Sequence, residues 1–464
     1  MIKENDEHPA LDQNKPVRKL NRIAAIATLG GVLFGFDTGV VNGALQYMSR
    51  PDQLNLNPSN EGLVASGVTI GAAFGALFMG RLADIFGRKK LMHFLSLLLF
   101  FGTLGCSLSP NLVIIVAFRI LVGLGVGGVS VVVPTYLSEM SPFKKRGQIV
   151  TRNELMIVGG QLTAFIINAI LGLLSGDNPE IWRYMLACGM IPAIALFFGS
   201  QAIPESPRWL VMRGKSDKAL SVLNTIRTTY TECLTELKQI KENLDKQHKL
   251  SRATWNDIKQ PHNLHIIIIG AGLGIMQQMI GINIIMYYGS TVLANAGFGN
   301  NASLIANIGN GAVGVIVTII GMKYLINKVN RRKYLLIGIT GTTISLLLLV
   351  LFSKILAPAI LPYFVVVCLM LFIAFDQGSI GPLVWLLLSE IFPQKIRGFG
   401  MGISTFFLWF ANFLVGYFFP ILLDVFGLST TFLIFAGFNV ISWIFAYSSV
   451  PETLGKTLEQ IENN

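Results

Sequence analysis

Asp37 and Arg119 are charged side chains set inside apolar stretches, and together they suggest proton chemistry. Placing an ionisable group among hydrocarbon is costly, so each such residue is a functional candidate. A carboxyl in that setting answers to its neighbours: desolvation favours the neutral acid, while an approaching guanidinium favours the carboxylate. Movement of Arg119 relative to Asp37 would therefore trade a proton with conformation. A static buried pair that fixes helix register accounts for the same two residues. Glu154 and Asp376 are the other acids in or beside apolar stretches. A network with Arg146 or Arg152 is expected for Glu154. Asp376 is open to two roles, a second titratable group or a substrate contact.

Uncharged amides form the second constellation. Gln161, Gln277, Gln278 and Asn283 are carboxamides in apolar surroundings. Each offers a donor and an acceptor, which suits adjacent hydroxyls on a polyol ring. Gly281 lies between the last two and permits a bend. Phe34, Tyr287, Tyr288, Trp385 and Trp409 could cover the C–H faces of such a ring, or serve only as core. An anion or cation would call for unpaired charges along the path, so a neutral, hydroxyl-rich solute fits better.

Segments positioned in a bilayer must hold these residues. The chain has 464 residues, 52% hydrophobic and 13% charged, with a mean hydropathy of +0.60. That is too apolar for a soluble globule of this length. Stretches of roughly 20 apolar residues read as helices, because a helix satisfies its own backbone in lipid. Twelve are expected, near 22–48, 61–81, 90–109, 111–137, 152–174, 182–202, 264–294, 302–326, 333–354, 359–389, 399–422 and 428–449. The expected organisation is a leader over 1–21, a six-helix half over 22–202, a helical linker over 203–263, a second half over 264–449 and a tail over 450–464. The linker reads as a latch rather than a catalytic domain.

The two halves echo one another. Ser138, Glu139, Lys144, Arg146 and Gly147 match Ser389, Glu390, Lys395, Arg397 and Gly398, while Asp84–Lys89 is echoed by Asn327–Arg332 and Pro204-Glu205-Ser206 by Pro451-Glu452-Thr453. Three echoes in one order imply parallel repeats that rock about a shared central site. The net charge of +11 gathers in alternate loops, which argues for membrane orientation and against nucleic acid. Both termini are expected on the cytoplasmic side of a plasma membrane. The four cysteines and five histidines have no metal-ligand spacing, so no metal or cofactor is expected.

These motifs resemble a sugar porter of the major facilitator superfamily, over essentially the whole length. The likeness rests on Gly80–Lys89, Pro134–Glu139, Pro204–Trp209, Gln277–Asn283 and Pro451–Thr453. Within that family it resembles bacterial myo-inositol/proton symporters, through Pro51–Asn57, Asn153–Val158, Gly176–Asn178 and Gly427–Phe432. The resemblance implies an all-α membrane protein of two pseudo-symmetric six-helix bundles, a non-enzymatic carrier, with Asp37 and Arg119 coupling a proton. It implies sugar contacts from Gln161, Gln277, Gln278, Asn283 and Trp385, to which Phe34, Tyr288 and Trp409 are added as aromatic cover. It also implies a cytoplasmic latch of Asp84, Arg88, Glu139, Arg146, Arg332, Glu390 and Arg397 that holds the outward-open state. Leu408 stands before Trp409 where many sugar porters carry Gln or Asn, which moves the expectation away from xylose. Asn327 and Asn330 replace the usual Asp and Gly, which should weaken the second half of the latch. A functional monomer is expected. The rivals are a xylose or glucose symporter, a uniporter needing no acid at Asp37, and a sensor, which usually carries longer extensions than this tail.

Overall fold

The structure is a computed structural model that describes residues 14–142, 146–174, 178–249, 258–325, 328–393 and 396–454. Among these, eleven helices are long and apolar enough to cross a membrane. The first six are Pro16–Met48, Pro58–Phe86, Arg88–Leu108, Leu112–Met140, Gly147–Leu174 and Ile181–Ala202, here spans 1 to 6. Spans 7 to 10 are Pro261–Asn295, Asn300–Tyr324, Arg331–Ile355 and Leu361–Glu390. The last helix, Arg397–Ser449, is two spans read as one, because only Gly427 (φ 73°, ψ 174°) leaves helical geometry at the turn between them. Spans 11 and 12 are thus 397–426 and 428–449, completing the expected twelve. Between the halves run three shorter helices, Pro207–Met212, Ser216–Ile226 and Tyr230–Lys249.

Sequence explains how such helices pack so closely. In lipid no hydrophobic effect drives helix against helix, so small residues must let backbones approach. A methyl group added at Gly71 of span 2 would stand 2.0 Å from the Ile120 carbonyl oxygen of span 4, and one at Gly123 would stand 2.0 Å from that of Val68. The Gly-rich run in span 4 is therefore a helix-packing surface. Span 5 offers an internal test, since its neighbouring glycines differ. A methyl at Gly160 would meet the Val32 carbonyl at 2.4 Å, whereas Gly159 has nothing within 4 Å. Gly160→Ala is expected to destabilise the protein by about 1–3 kcal/mol and Gly159→Ala to be neutral. Thermal unfolding of the two purified variants checks this.

The face carrying the chain's described ends, here the terminal face, has one clamp per half. In the first half the Glu205 carboxylate accepts from the backbone N–H groups of Arg88 (2.9 Å) and Lys89 (3.2 Å). In the second, Glu452 accepts from those of Arg331 (2.9 Å) and Arg332 (3.1 Å). The same acid thus caps the same helix start in each repeat, satisfying donors that a helix leaves free. The linker is tied to the first half by Arg227, which bonds Glu236 at 2.6 Å and the Met140 carbonyl at 3.0 Å.

Candidate functional site

Span 1 carries Asp37 toward span 4, where Arg119 Nη1 lies 2.7 Å from its Oδ1. Arg119 Nε also donates to the Val64 carbonyl of span 2 at 3.1 Å, and the side chain is 1% exposed. Its Nη2 has no partner. The guanidinium is therefore held by two helices while part of its donor capacity stays unused. A cavity of about 10 Å³ opens beside the pair, lined among others by Asp37, Arg119, Thr103, Cys106 and Gly189. That is close to the size of a single water site. Asp37 and Arg119 thus meet, as the sequence suggests, in a place where one small polar species could reach the carboxyl.

Three of the four amides lie on span 7, on either side of its break. Span 7 breaks at Gly281, whose φ of 105° is left-handed, so the helix stops at Met279 and restarts at Ile282. Five residues on a straight helix would point Gln278 and Asn283 well apart. The break instead lets Asn283 Nδ2 donate to Gln278 Oε1. Gln277 Nε2 lies 3.5 Å from the Gly381 carbonyl, and its Oε1 has no partner. Gln161 is buried on span 5. Trp409 of span 11 reaches across to Phe34 of span 1, with ring centroids 5.6 Å apart, and its buried Nε1 has no partner either. Trp385 is half-buried against the core, four residues beyond Gly381 on span 10.

Tyr288 departs from expectation. Its hydroxyl donates to the Gly416 carbonyl at 2.6 Å and its ring packs 5.2 Å from that of Phe419. The break at Gly281 turns this side chain into the packing between spans 7 and 11. Two amides that sequence reasoning missed stand nearby. Gln377 is buried, with Oε1 3.8 Å from where a methyl on Gly381 would sit. Asn412, one turn after Trp409, is buried with Oδ1 unpartnered. Spacing from Trp409 could have flagged Asn412, and it supplies a span 11 amide although Leu408 precedes the tryptophan.

Opposite the terminal face, the halves are clasped by asparagines. Asn42 Nδ2 of span 1 donates to the carbonyls of Ile285 (3.0 Å) and Met286 (2.8 Å) in span 7. Its Oδ1 accepts from the Ser290 backbone (2.8 Å) and from Asn307 Nδ2 (3.1 Å) of span 8. Asn310 Nδ2 extends the chain to Asn307 Oδ1 at 2.9 Å. A methyl at Gly62 would stand 2.4 Å from the Tyr417 carbonyl, so spans 2 and 11 touch there as well. This closes the opposite face. Asn42→Ala is expected to cost about 1–3 kcal/mol of that closure. A cysteine at Ser66, with the native cysteines replaced, should then react roughly ten-fold faster with an impermeant thiol reagent.

On the terminal face Arg88 and Glu390 each form ion pairs within their own half. Arg88 bonds Asp84 at 2.8 Å and Glu139 at 3.0 Å. In the second half Glu390 pairs with Arg331 at 3.6 Å, not with Arg332, whose guanidinium sits 5.0 Å from the ring centroid of Tyr447. The repeat explains this: Arg331 is the residue that matches Arg88, each opening the helix whose first backbone N–H groups are clamped by the Pro-Glu acid of its own half. Glu390 also accepts from Thr453 Oγ1 at 2.6 Å. Asn330 does not copy the left-handed Gly87 (φ 99°) but takes φ −51°, and Asn327 lies outside the described residues. Arg397 Nε donates to the Phe392 carbonyl at 3.2 Å. The Arg146 side chain also lies outside the described residues. Arg152 bonds Asn21 at 2.9 Å instead of Glu154.

With one face closed by the asparagine clasp and buried polar atoms left without partners on spans 7 and 11 among the described residues, the geometry is that of a carrier. The chain matches the family described as sugar (and other) transporter over residues 23–464. It belongs to that family, the sugar porters of the major facilitator superfamily. The chain is 50% identical to the putative metabolite transport protein YncC of Bacillus subtilis (strain 168), covering 96% of this chain and 95% of that one. It is 49% identical to the major myo-inositol transporter IolT of the same organism, covering 97% and 95%. Among solved structures it is similar to the partially occluded inward-open conformation of the xylose transporter XylE from E. coli, with TM-score 0.83, 28% identity, and 95% and 100% of the two chains covered. XylE is also described as a proton:xylose symporter in a structure bound to 6-bromo-6-deoxy-D-glucose (TM-score 0.78, 29% identity, 96% and 99% covered). The chain is a multi-pass membrane transporter and not an enzyme.

Proposed function

We propose that the protein is a proton-coupled symporter for a neutral polyol or monosaccharide, with myo-inositol as the substrate. The observation that carries the substrate class is a set of buried, uncharged polar atoms without protein partners, Gln277 Oε1, Trp409 Nε1 and Asn412 Oδ1, around the junction of the halves. Such atoms are costly to leave unpaired and are satisfied by a ligand rich in hydroxyls. Gln161, Gln278, Asn283 and Gln377 would add donors and acceptors, with Phe34, Trp385 and Trp409 covering the ring faces. The 49% identity to IolT supports inositol, and the description of XylE as a proton symporter supports coupling.

In this reading the terminal face is cytoplasmic, and the clasped state opens inward in a plasma membrane. One chain suffices, with the linker over 203–263 holding the latch of Asp84, Arg88, Glu139, Arg331, Glu390 and Arg397. Substrate and a proton on Asp37 enter from outside. Closure of the Asn42 clasp brings the halves together there, and the Asp37–Arg119 contact expels the proton inward. Uptake of labelled myo-inositol challenged by xylose, glucose, fructose and galactose tests the substrate. Inositol should compete best; stronger displacement by xylose would reassign it.

A further inference from the structure

Val158 of span 5, Gly314 of span 8 and Ile373 of span 10 meet at the seam. A methyl group on Gly314 would stand 3.3 Å from Val158 Cγ1 and 3.6 Å from Ile373 Cγ2. Span 5 starts at the terminal face and span 10 ends there, so the two run in opposite directions. One helical turn toward the terminal face leads from Val158 to Glu154, and from Ile373 to the turn holding Asp376. Two acids, one from each half, therefore lie on the same side of a single contact point.

Asp376 is 1% exposed, and its Oδ1 has no hydrogen-bond partner. It opens a π-helical turn, Asp376–Ile380, a geometry frequent at functional sites. Its only charged neighbour of consequence among the described residues is Glu154. The other charged and titratable side chains described on the surrounding elements are engaged elsewhere or face outward; that of Arg146 lies outside the described residues. Lys323 lies over the Tyr324 ring and Tyr334 donates its hydroxyl to the Gly378 carbonyl. Arg331 holds Glu390, Arg332 lies over Tyr447, and Lys333 is exposed. Around Glu154, Arg152 bonds Asn21, Arg88 holds Glu139, Arg119 holds Asp37, and Arg18, Lys19 and Arg22 are exposed. Two carboxyls beside one contact point, with no cation among the described side chains to pair them, cannot both ionise cheaply.

We propose that Glu154 and Asp376 form a second proton site, in which one proton is shared by two carboxyls, one from each half, beside the Val158–Gly314–Ile373 contact. It is separate from the Asp37–Arg119 pair. Because each half contributes one carboxyl, rocking changes their separation and with it the hold on the proton, and the two groups titrate as a pair. The link to transport rests on the symporter reading; the site itself does not.

Infrared titration of the Asp37→Asn protein in lipid tests the site without any substrate. The carbonyl stretch of a protonated carboxylic acid should persist at neutral pH. Its midpoint should fall by at least one pH unit in Asp376→Asn and in Glu154→Gln, with Asp376→Glu restoring it. An unchanged midpoint in Glu154→Gln would mean that Asp376 holds its proton alone, overturning the pair. Absence of the band in a protein that still melts cooperatively would mean that both acids are ionised, which overturns it equally. If the band behaves as expected but no polyol is transported, the proton site stands and only the symporter reading fails.

Discussion

Asp37→Asn is expected to abolish concentrative uptake while leaving exchange of labelled for unlabelled substrate across the membrane intact. The asparagine keeps the shape of the side chain and one acceptor for Arg119 but cannot carry a proton. Each coupled proton contributes about 2.3 kcal/mol per 100 mV of driving force, so accumulation should fall roughly fifty-fold per 100 mV. Arg119→Ala should be worse than the asparagine variant. It strips the guanidinium from Asp37 and from the Val64 carbonyl together, leaving an unpaired acid in a buried place. Counterflow in vesicles reads the exchange step, and steady-state accumulation under an imposed gradient reads the coupling. Accumulation by Asp37→Asn that collapses with the proton gradient would assign coupling to another group.

Gln278→Ala is expected to weaken substrate binding by about 1–3 kcal/mol, or roughly five- to one-hundred-and-fifty-fold in Kd. Two losses add: its own bond to a ligand hydroxyl, and the carboxamide that holds Asn283 in place across the Gly281 break. Gln277→Ala removes a partner of the Gly381 carbonyl and an unpaired acceptor, so a loss in the same range is expected. Tyr288→Phe is the contrasting variant. It breaks the bond to the Gly416 carbonyl, so it should lower thermal stability while leaving Kd unchanged in the protein that folds. Equilibrium binding to the three purified variants separates these outcomes.

Much of this molecule can be read from its residues because a membrane leaves few choices. Twelve apolar runs had to be helices, and the Ser-Glu and Pro-Glu echoes had to mark a repeat, which Glu205 and Glu452 display as matching clamps. Asp37 and Arg119 were conspicuous as charges among hydrocarbon, and they touch. The direction of a side chain was harder to foresee. Tyr288 and Asn283 lie on the same short helix after Gly281, yet the turn there sends one into the span 11 contact and the other toward Gln278. Arg331 and Arg332 look alike in a string, whereas a helix separates them by about 100°, and it is Arg331 that meets Glu390. The Asn42 clasp escaped notice for a related reason. Three of its four partners, the carbonyls of Ile285 and Met286 and the N–H of Ser290, belong to the backbone and leave no mark on sequence.

Liposomes holding the purified protein, loaded at one pH and diluted into another, put the idea of a rocking, proton-linked carrier to its most direct trial. Labelled inositol should accumulate above its external level when the outside is acidic, and a protonophore should discharge it. Entry at one unvarying rate that stops at equal concentrations, whatever the pH difference or voltage, would contradict proton coupling.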